Sequence, residues 1–97
     1  MKLISIQQFC KHYDIPISFI DSLFNFELIE LIQENNTKFI NQNQVNIIEK
    51  LIRLHYDLDI NFEGLDVVLN LLNQIEYLQN ELTTLNNQLD FYRQFKN

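Results

Sequence analysis

The sequence predicts a mainly α-helical protein: a helix-turn-helix with a small β-hairpin wing, followed by a helix and a long C-terminal coiled-coil helix. Three observations predict this class. The 97 residues include one glycine and one proline, too few for a turn-dense β protein. Apolar residues recur at helical spacing behind cap residues, and a 3.5-residue apolar repeat fills the last part of the chain. We expect a winged helix-turn-helix-like domain over 1–60 and a long helix over 61–97 for dimerisation and partner binding.

The first two helices are predicted from capping and breaking signals. Gln8 follows Ser5 at the spacing of a capping box, so the first helix is expected to begin there. Pro16 disfavours the helical conformation of the residue before it and ends that helix. Ser18 is the expected cap of a second short helix, and the pair forms a helix-turn-helix. The stripe of the first helix is Ile6, Phe9, Cys10 and Tyr13.

Composition and cap spacing in the middle of the chain predict the wing and a third helix. Residues 28–32 are rich in leucine and isoleucine and are expected to form one strand, 34–37 a turn, and 38–40 a second strand. Asn41 and Gln44 repeat the cap spacing and open the third helix. Asn61 is the expected cap of the last helix.

Apolar residues in the last helix alternate steps of three and four for more than three heptads. This is the pattern of a coiled-coil seam, and a second copy of the chain is the expected partner. The alternative is that the helix folds back on its own domain. The predicted dimer seam consists of Val68, Leu71, Ile75, Leu78, Leu82, Leu85, Leu89 and Tyr92.

Residues suited to catalysis are sparse, and we expect no enzyme, no catalytic residue, no metal site and no cofactor. Cys10 and His12 are two residues apart and would point in different directions on one helix. Cys10 lies on the apolar stripe and is expected to be part of the core. The longest apolar run is three residues (67–69), so no membrane span is expected, and the cytoplasm is the expected location.

The charge distribution distinguishes between nucleic acid and protein partners. The chain has 13 acidic and 7 basic residues. No lysine or arginine lies between Lys11 and Lys38, where a DNA-reading helix would need them. DNA binding is therefore not expected. A second window without lysine or arginine runs over 54–92.

Four acids of the second window lie within ten residues, around Phe62 at the junction of two helices. Scattered acids are by default a solvated, solubilising face. The alternative is a docking point for a basic partner, with carboxylates steering the encounter and Phe62 as the apolar anchor. The candidate partner-binding residues are Asp57, Leu58, Asp59, Phe62, Glu63 and Asp66.

Two resemblances extend this prediction. ISIQQFC (4–10) and KFI (38–40) resemble the first helix and the wing of MerR-type regulators, although the family's Arg-Tyr-Tyr stretch corresponds to DSL (21–23) and a family glycine to Glu27. The chain resembles the chaperone-modulator CbpM family more closely. That similarity lies in IQQFCKH (6–12), RLHYDLDINFEGL (53–65), VLNLL (68–72) and IEYL (75–78).

The CbpM resemblance implies a function. Members of that family bind the J-domain of a DnaJ-like co-chaperone and suppress its work with Hsp70. An acidic competitor could cover the basic helix that a J-domain presents to Hsp70. The alternative is a MerR-family DNA-binding transcriptional regulator, and a third reading is a bare oligomerisation module. The MerR resemblance also favours antiparallel pairing of the long helices.

Overall fold

The structure is a computed structural model that describes residues 2–95. In that range the elements are β1 (Leu3–Ser5), α1 (Ile6–Tyr13), α2 (Ile17–Asn25), β2 (Ile32–Glu34), β3 (Thr37–Asn41), a 3-10 turn (Gln42–Gln44), α3 (Val45–Tyr56) and α4 (Phe62–Gln94). The predicted mainly helical winged helix-turn-helix with a long last helix is confirmed. The chain divides into two compact units, Met1–Asp66 and Val67–Asn97.

The helix-turn-helix forms largely as its local signals predict. The backbone N–H of Gln8 donates to Ser5 Oγ at 3.1 Å, which confirms the cap of α1. Asp14 closes α1 in the left-handed conformation, with φ at 55°. The prediction that Ser18 caps α2 is wrong, because α2 begins at Ile17 with Pro16 in the cap position. Proline supplies the extended entry geometry that a helix start needs.

The wing begins later than predicted. Its strands are β2 and β3, joined by a tight turn, with Glu34 opposite Thr37. The expected strand over 28–32 is wrong, because its first residues complete the C-terminus of α2: the N–H of Leu28 donates to the carbonyl of Leu23 at 2.9 Å. Leu28 and Ile29 are buried in that connection.

A third strand joins the sheet, and the sequence pattern did not reveal it. β1 pairs with β3 in antiparallel register, with Ile4 opposite Ile40, so β3 is the central strand. A three-residue strand is too short to show the alternation that marks a half-buried strand.

The core of the first unit is apolar and draws on every helix. The largest fully buried side chains come from α2, β3, α3 and the first turn of α4; they are Ile20, Leu23, Ile40, Ile48, Leu51 and Leu65. Asn41 Oδ1 caps the 3-10 turn by accepting from Asn43, so α3 begins only at Val45. Asn61 Oδ1 accepts from the N–H of Gly64 at 2.8 Å, which confirms the predicted cap of α4.

Candidate functional site at the helix junction

A short connection joins α3, which ends at Tyr56, to α4, which begins at Phe62. The N–H of Ile60 donates to the carbonyl of Leu54 at 3.1 Å. His55 Nδ1 lies 2.8 Å from the carbonyl oxygen of Ile60, and Nδ1 is the donor because a carbonyl can only accept. Asp59 adopts the left-handed conformation, with φ at 54°. Two hydrogen bonds therefore hold the C-terminal end of the connection against the last turns of α3.

Gly64 allows this connection to lie close to α4. A Cβ on Gly64 would stand 2.6 Å from Ile60 Cγ2 and 3.1 Å from Asn61 Oδ1. The first of these separations is shorter than packed carbon atoms accept. Gly64 thus has a packing role, and the cap from Asn61 fits because no side chain intervenes.

An aromatic cluster lies beneath the junction. The ring of Phe62 is 4.9 Å from His55, 5.8 Å from Phe19 and 5.5 Å from Phe26, centroid to centroid. Phe19 also contacts Tyr56 at 5.3 Å. The cluster therefore joins α2, α3 and the start of α4, with Phe19 buried and Phe62 half-buried.

Most of the predicted partner-binding residues lie on the surface. Leu58 is 65% exposed, and the four carboxylate residues are exposed as well: Asp57, Asp59, Glu63 and Asp66. Asp57 and Asp59 occupy the connection, while Glu63 and Asp66 lie three residues apart on α4 and share a face. Phe62 differs, because its ring is largely occupied by the cluster.

Two exposed aromatic residues extend this surface and were not predicted. Phe26 and Tyr56 are both more than 40% exposed, and their rings contact Phe62 and Phe19. Tyr56 precedes Asp57 and could have been included from the sequence. Phe26 is 36 positions from Phe62, and no local pattern links them. Although Tyr56 is 46% exposed, partial burial raises the pKa of its hydroxyl, and the negative charge of an ionised Cys10 raises it further.

The junction thus combines negative charge with exposed apolar groups. Such a surface suits a basic protein surface that also carries an apolar side chain. Within residues 2–95, no group of three or more His, Cys, Asp or Glu side chains could hold a metal ion. In the same range no helix has the length and apolarity that crossing a bilayer requires.

The helix-turn-helix face carries little positive charge. α2 exposes Ile17, Ser18 and Asn25, with Asp21 half-buried. A shallow groove of about 270 Å³ lies between α1, α2 and the wing, and Lys38 is the one cation among the residues that line it. A helix that reads DNA is normally surrounded by several phosphate-contacting bases.

The second unit exposes the predicted seam. Six of its leucine and isoleucine side chains are between 46% and 63% exposed: Leu71, Ile75, Leu78, Leu82, Leu85 and Leu89. Val68 is half-buried, and Tyr92 follows in the last turns of α4.

A helix-turn-helix, a sheet-based wing and a long last helix define a winged helix-turn-helix protein. The chain matches the family model described as MerR HTH family regulatory protein over residues 4–87, and it belongs to that family. Comparison with curated proteins gave no match, and neither did comparison with solved structures. The predicted MerR resemblance is confirmed, and the finer CbpM assignment stays a prediction.

Proposed function

We propose that the protein is a cytoplasmic, non-catalytic chaperone modulator. It binds the J-domain of a DnaJ-like co-chaperone and blocks the engagement of Hsp70. The observation that carries the proposal is the exposed acidic and apolar surface of the helix junction, in a stretch of chain (54–92) without lysine or arginine. A J-domain presents a basic helix to Hsp70, and this surface complements it in charge. The resemblance of residues 6–12 and 53–65 to the CbpM family supports the same partner.

Each part of the junction has a role in the proposed complex. The carboxylates of the connection and of the first turns of α4 attract the basic helix and raise its association rate. Leu58 is the apolar anchor, because it is the most exposed apolar side chain of the junction. Phe62 contributes its outer edge and holds Phe26 in place.

The test is a binding measurement between the full chain and a purified J-domain. The double variant Leu58→Ser with Asp57→Lys removes the anchor and reverses one charge, and we expect affinity to fall about tenfold or more. Glu81→Lys, on the exposed part of α4, makes the same charge change away from the junction and is the control. The wild type is expected to inhibit J-domain stimulation of Hsp70 ATPase activity. Wild-type chain that neither binds the J-domain nor inhibits that stimulation would refute the proposal.

We further propose that the active species is a homodimer. A stripe of six exposed leucine and isoleucine side chains on one helix exceeds what a solvated helix normally carries. Pairing two copies through this seam would bury it. The MerR resemblance favours an antiparallel pair.

The second candidate function is that of a MerR-type DNA-binding transcriptional regulator. The family match favours it, as does exposed Lys38 beside the groove between α2 and the wing. Tight, salt-sensitive binding of DNA in a mobility-shift assay, weakened by Lys38→Glu, would select this function over chaperone modulation. A bare oligomerisation module would bind neither DNA nor the J-domain.

A further inference from the structure

A second surface of the first unit combines apolar and acidic groups. It is a groove between the C-terminal end of α2 and the segment that leads to β2, with a volume of about 660 Å³. Ile29 is buried, Leu31 is half-buried, and Phe24 is 43% exposed. The residues that line the groove are Phe24, Asn25, Glu27, Ile29, Glu30 and Leu31.

The walls of the groove are fixed by backbone hydrogen bonds. The N–H of Glu27 donates to the carbonyl of Phe24, and that of Leu28 to the carbonyl of Leu23, each at 2.9 Å. These two bonds form a Schellman closure of α2. The N–H of Glu30 donates to the side-chain oxygen of Gln44 at 3.0 Å. A preformed groove loses little conformational freedom when a partner binds.

Glu27 occupies a position where glycine would fit better. Its φ is 61°, the left-handed conformation that a Schellman closure requires and that glycine adopts without steric cost. The chain nevertheless has a carboxylate there, and a second one three residues on at Glu30. Both residues are exposed.

No lysine or arginine is among the residues that line the groove, and 12–37 contains none. The groove therefore has an apolar floor and negative walls. That combination disfavours nucleic acid and an anionic membrane surface, since both are negatively charged. It favours a positively charged peptide with an apolar side chain.

We infer that this groove is a second docking site, which takes a short cationic segment of a partner protein. An apolar side chain of the segment lies against Phe24, Ile29 and Leu31, and flanking lysine or arginine residues pair with Glu27 and Glu30. The inference does not rest on the J-domain proposal, because the site shares no residue with the junction carboxylates.

The test uses the full chain labelled with ¹⁵N and a capped peptide in which one leucine is flanked by lysines. We expect the amide signals of 23–31 to shift and to saturate. A peptide with glutamate in place of lysine is expected to cause no shift. The double variant Glu27→Gly with Glu30→Gln removes both charges, and we expect it to weaken peptide binding about three- to tenfold. Glycine suits the conformation at position 27, so the variant is expected to remain folded.

The matched control removes two charges elsewhere, by Glu76→Gln with Glu81→Gln on α4, and should bind the peptide as the wild type does. Three results would overturn the inference. Shifts could centre on 57–66, which would place the peptide at the junction. The control could weaken binding equally, which would indicate general charge attraction. The signals of 23–31 could change with protein concentration alone, which would make a second copy of the chain the occupant.

Discussion

The rings of Phe26 and Phe62 are stacked, with centroids 5.5 Å apart and planes inclined by 21°. Phe26 is the C-cap residue of α2 and Phe62 is the first residue of α4. Their contact therefore packs the end of the helix-turn-helix against the first residue of the long helix. Because His55 stacks on Phe62 as well, this ring is expected to stabilise the junction in addition to any contact with a partner.

Replacing Phe62 by alanine should destabilise the protein. The ring contacts aromatic side chains of α2 and α3, and truncating it should lower the free energy of unfolding by about 2–3 kcal/mol. Urea denaturation measures the change. Leu58→Ala is the control, because its side chain is 65% exposed, and it should cost less than about 0.5 kcal/mol. Equal losses in the two variants would contradict the structural role of Phe62.

Gly64→Ala should destabilise the junction although alanine is the better helix former. The added Cβ would stand 2.6 Å from Ile60 Cγ2, and relieving that overlap should cost about 1–3 kcal/mol. The gain in helix propensity is at most about 1 kcal/mol. Ile60→Leu removes the overlapping methyl group and nearly conserves volume. In that background, thermal denaturation should find Gly64→Ala neutral or stabilising; an unchanged penalty would rule out this overlap as the cause.

Glu27→Gly should stabilise the protein. A residue with a Cβ pays roughly 1 kcal/mol to hold the left-handed conformation, and Glu27 has φ at 61°. We therefore expect the midpoint of urea denaturation to rise, by about 0.5–1 kcal/mol in the free energy of unfolding. Glu30→Gly removes an equal charge and serves as the control. Since Glu30 is not among the positive-φ residues of 2–95, it should give no gain; a similar gain there would point to charge relief instead of backbone strain.

The sequence predicts this fold well wherever the signal is local. Ser5 and Asn61 cap α1 and α4 as expected, because a cap and its partner N–H are three residues apart. Strand β1 was missed, because its partner β3 lies more than 30 residues away and three residues show no periodicity. The composition of 28–32 predicts a strand, whereas the first part of this segment completes the C-terminal end of α2.

The candidate site also has one part that the sequence predicts and one part that only tertiary packing creates. The junction carboxylates are close together in the sequence, so their grouping on one connection could be predicted. Phe26 could not, because only tertiary packing brings the end of α2 onto Phe62. The sequence predicts Phe62 as an apolar anchor, but the same packing makes it a half-buried member of a cluster. Leu58 is the apolar residue of the predicted set that is exposed.

Charges placed in the seam of α4 should dissociate the proposed homodimer. Leu78 and Leu82 are each at least 60% exposed and occupy successive seam positions. We expect Leu78→Asp with Leu82→Asp to shift the sedimenting species from dimer to monomer, because buried carboxylates without partners are strongly unfavourable. Asn80→Asp with Asn87→Asp adds the same charge on the opposite face and should leave the dimer intact. A wild-type chain that sediments as a monomer at all concentrations would contradict the dimer.

Stability should decline in mildly alkaline solution because of Cys10. Burial raises the pKa of its thiol, and the carboxylate of Asp21 raises it further. The thiol also points toward the carbonyl of Pro16, with Sγ 3.9 Å from that oxygen. In the unfolded chain the thiol ionises near its ordinary pKa of about 8.5. The unfolded state therefore loses its proton first, so the stabilisation is complete below about pH 8.5 and is lost as the pH rises above it.

Urea denaturation at about pH 7.5 and about pH 9.5 measures this effect. Burial also raises the pKa of Tyr13 and of Tyr56. Unfolded tyrosine ionises near pH 10, so these residues contribute mainly at higher pH than the thiol does. Cys10→Ala isolates the contribution of the thiol. The variant should be less stable than the wild type at both pH values, since it leaves a small cavity. Its free energy of unfolding should nevertheless fall less than that of the wild type between about pH 7.5 and about pH 9.5. Equal declines in the two proteins would assign the alkaline loss to groups other than Cys10.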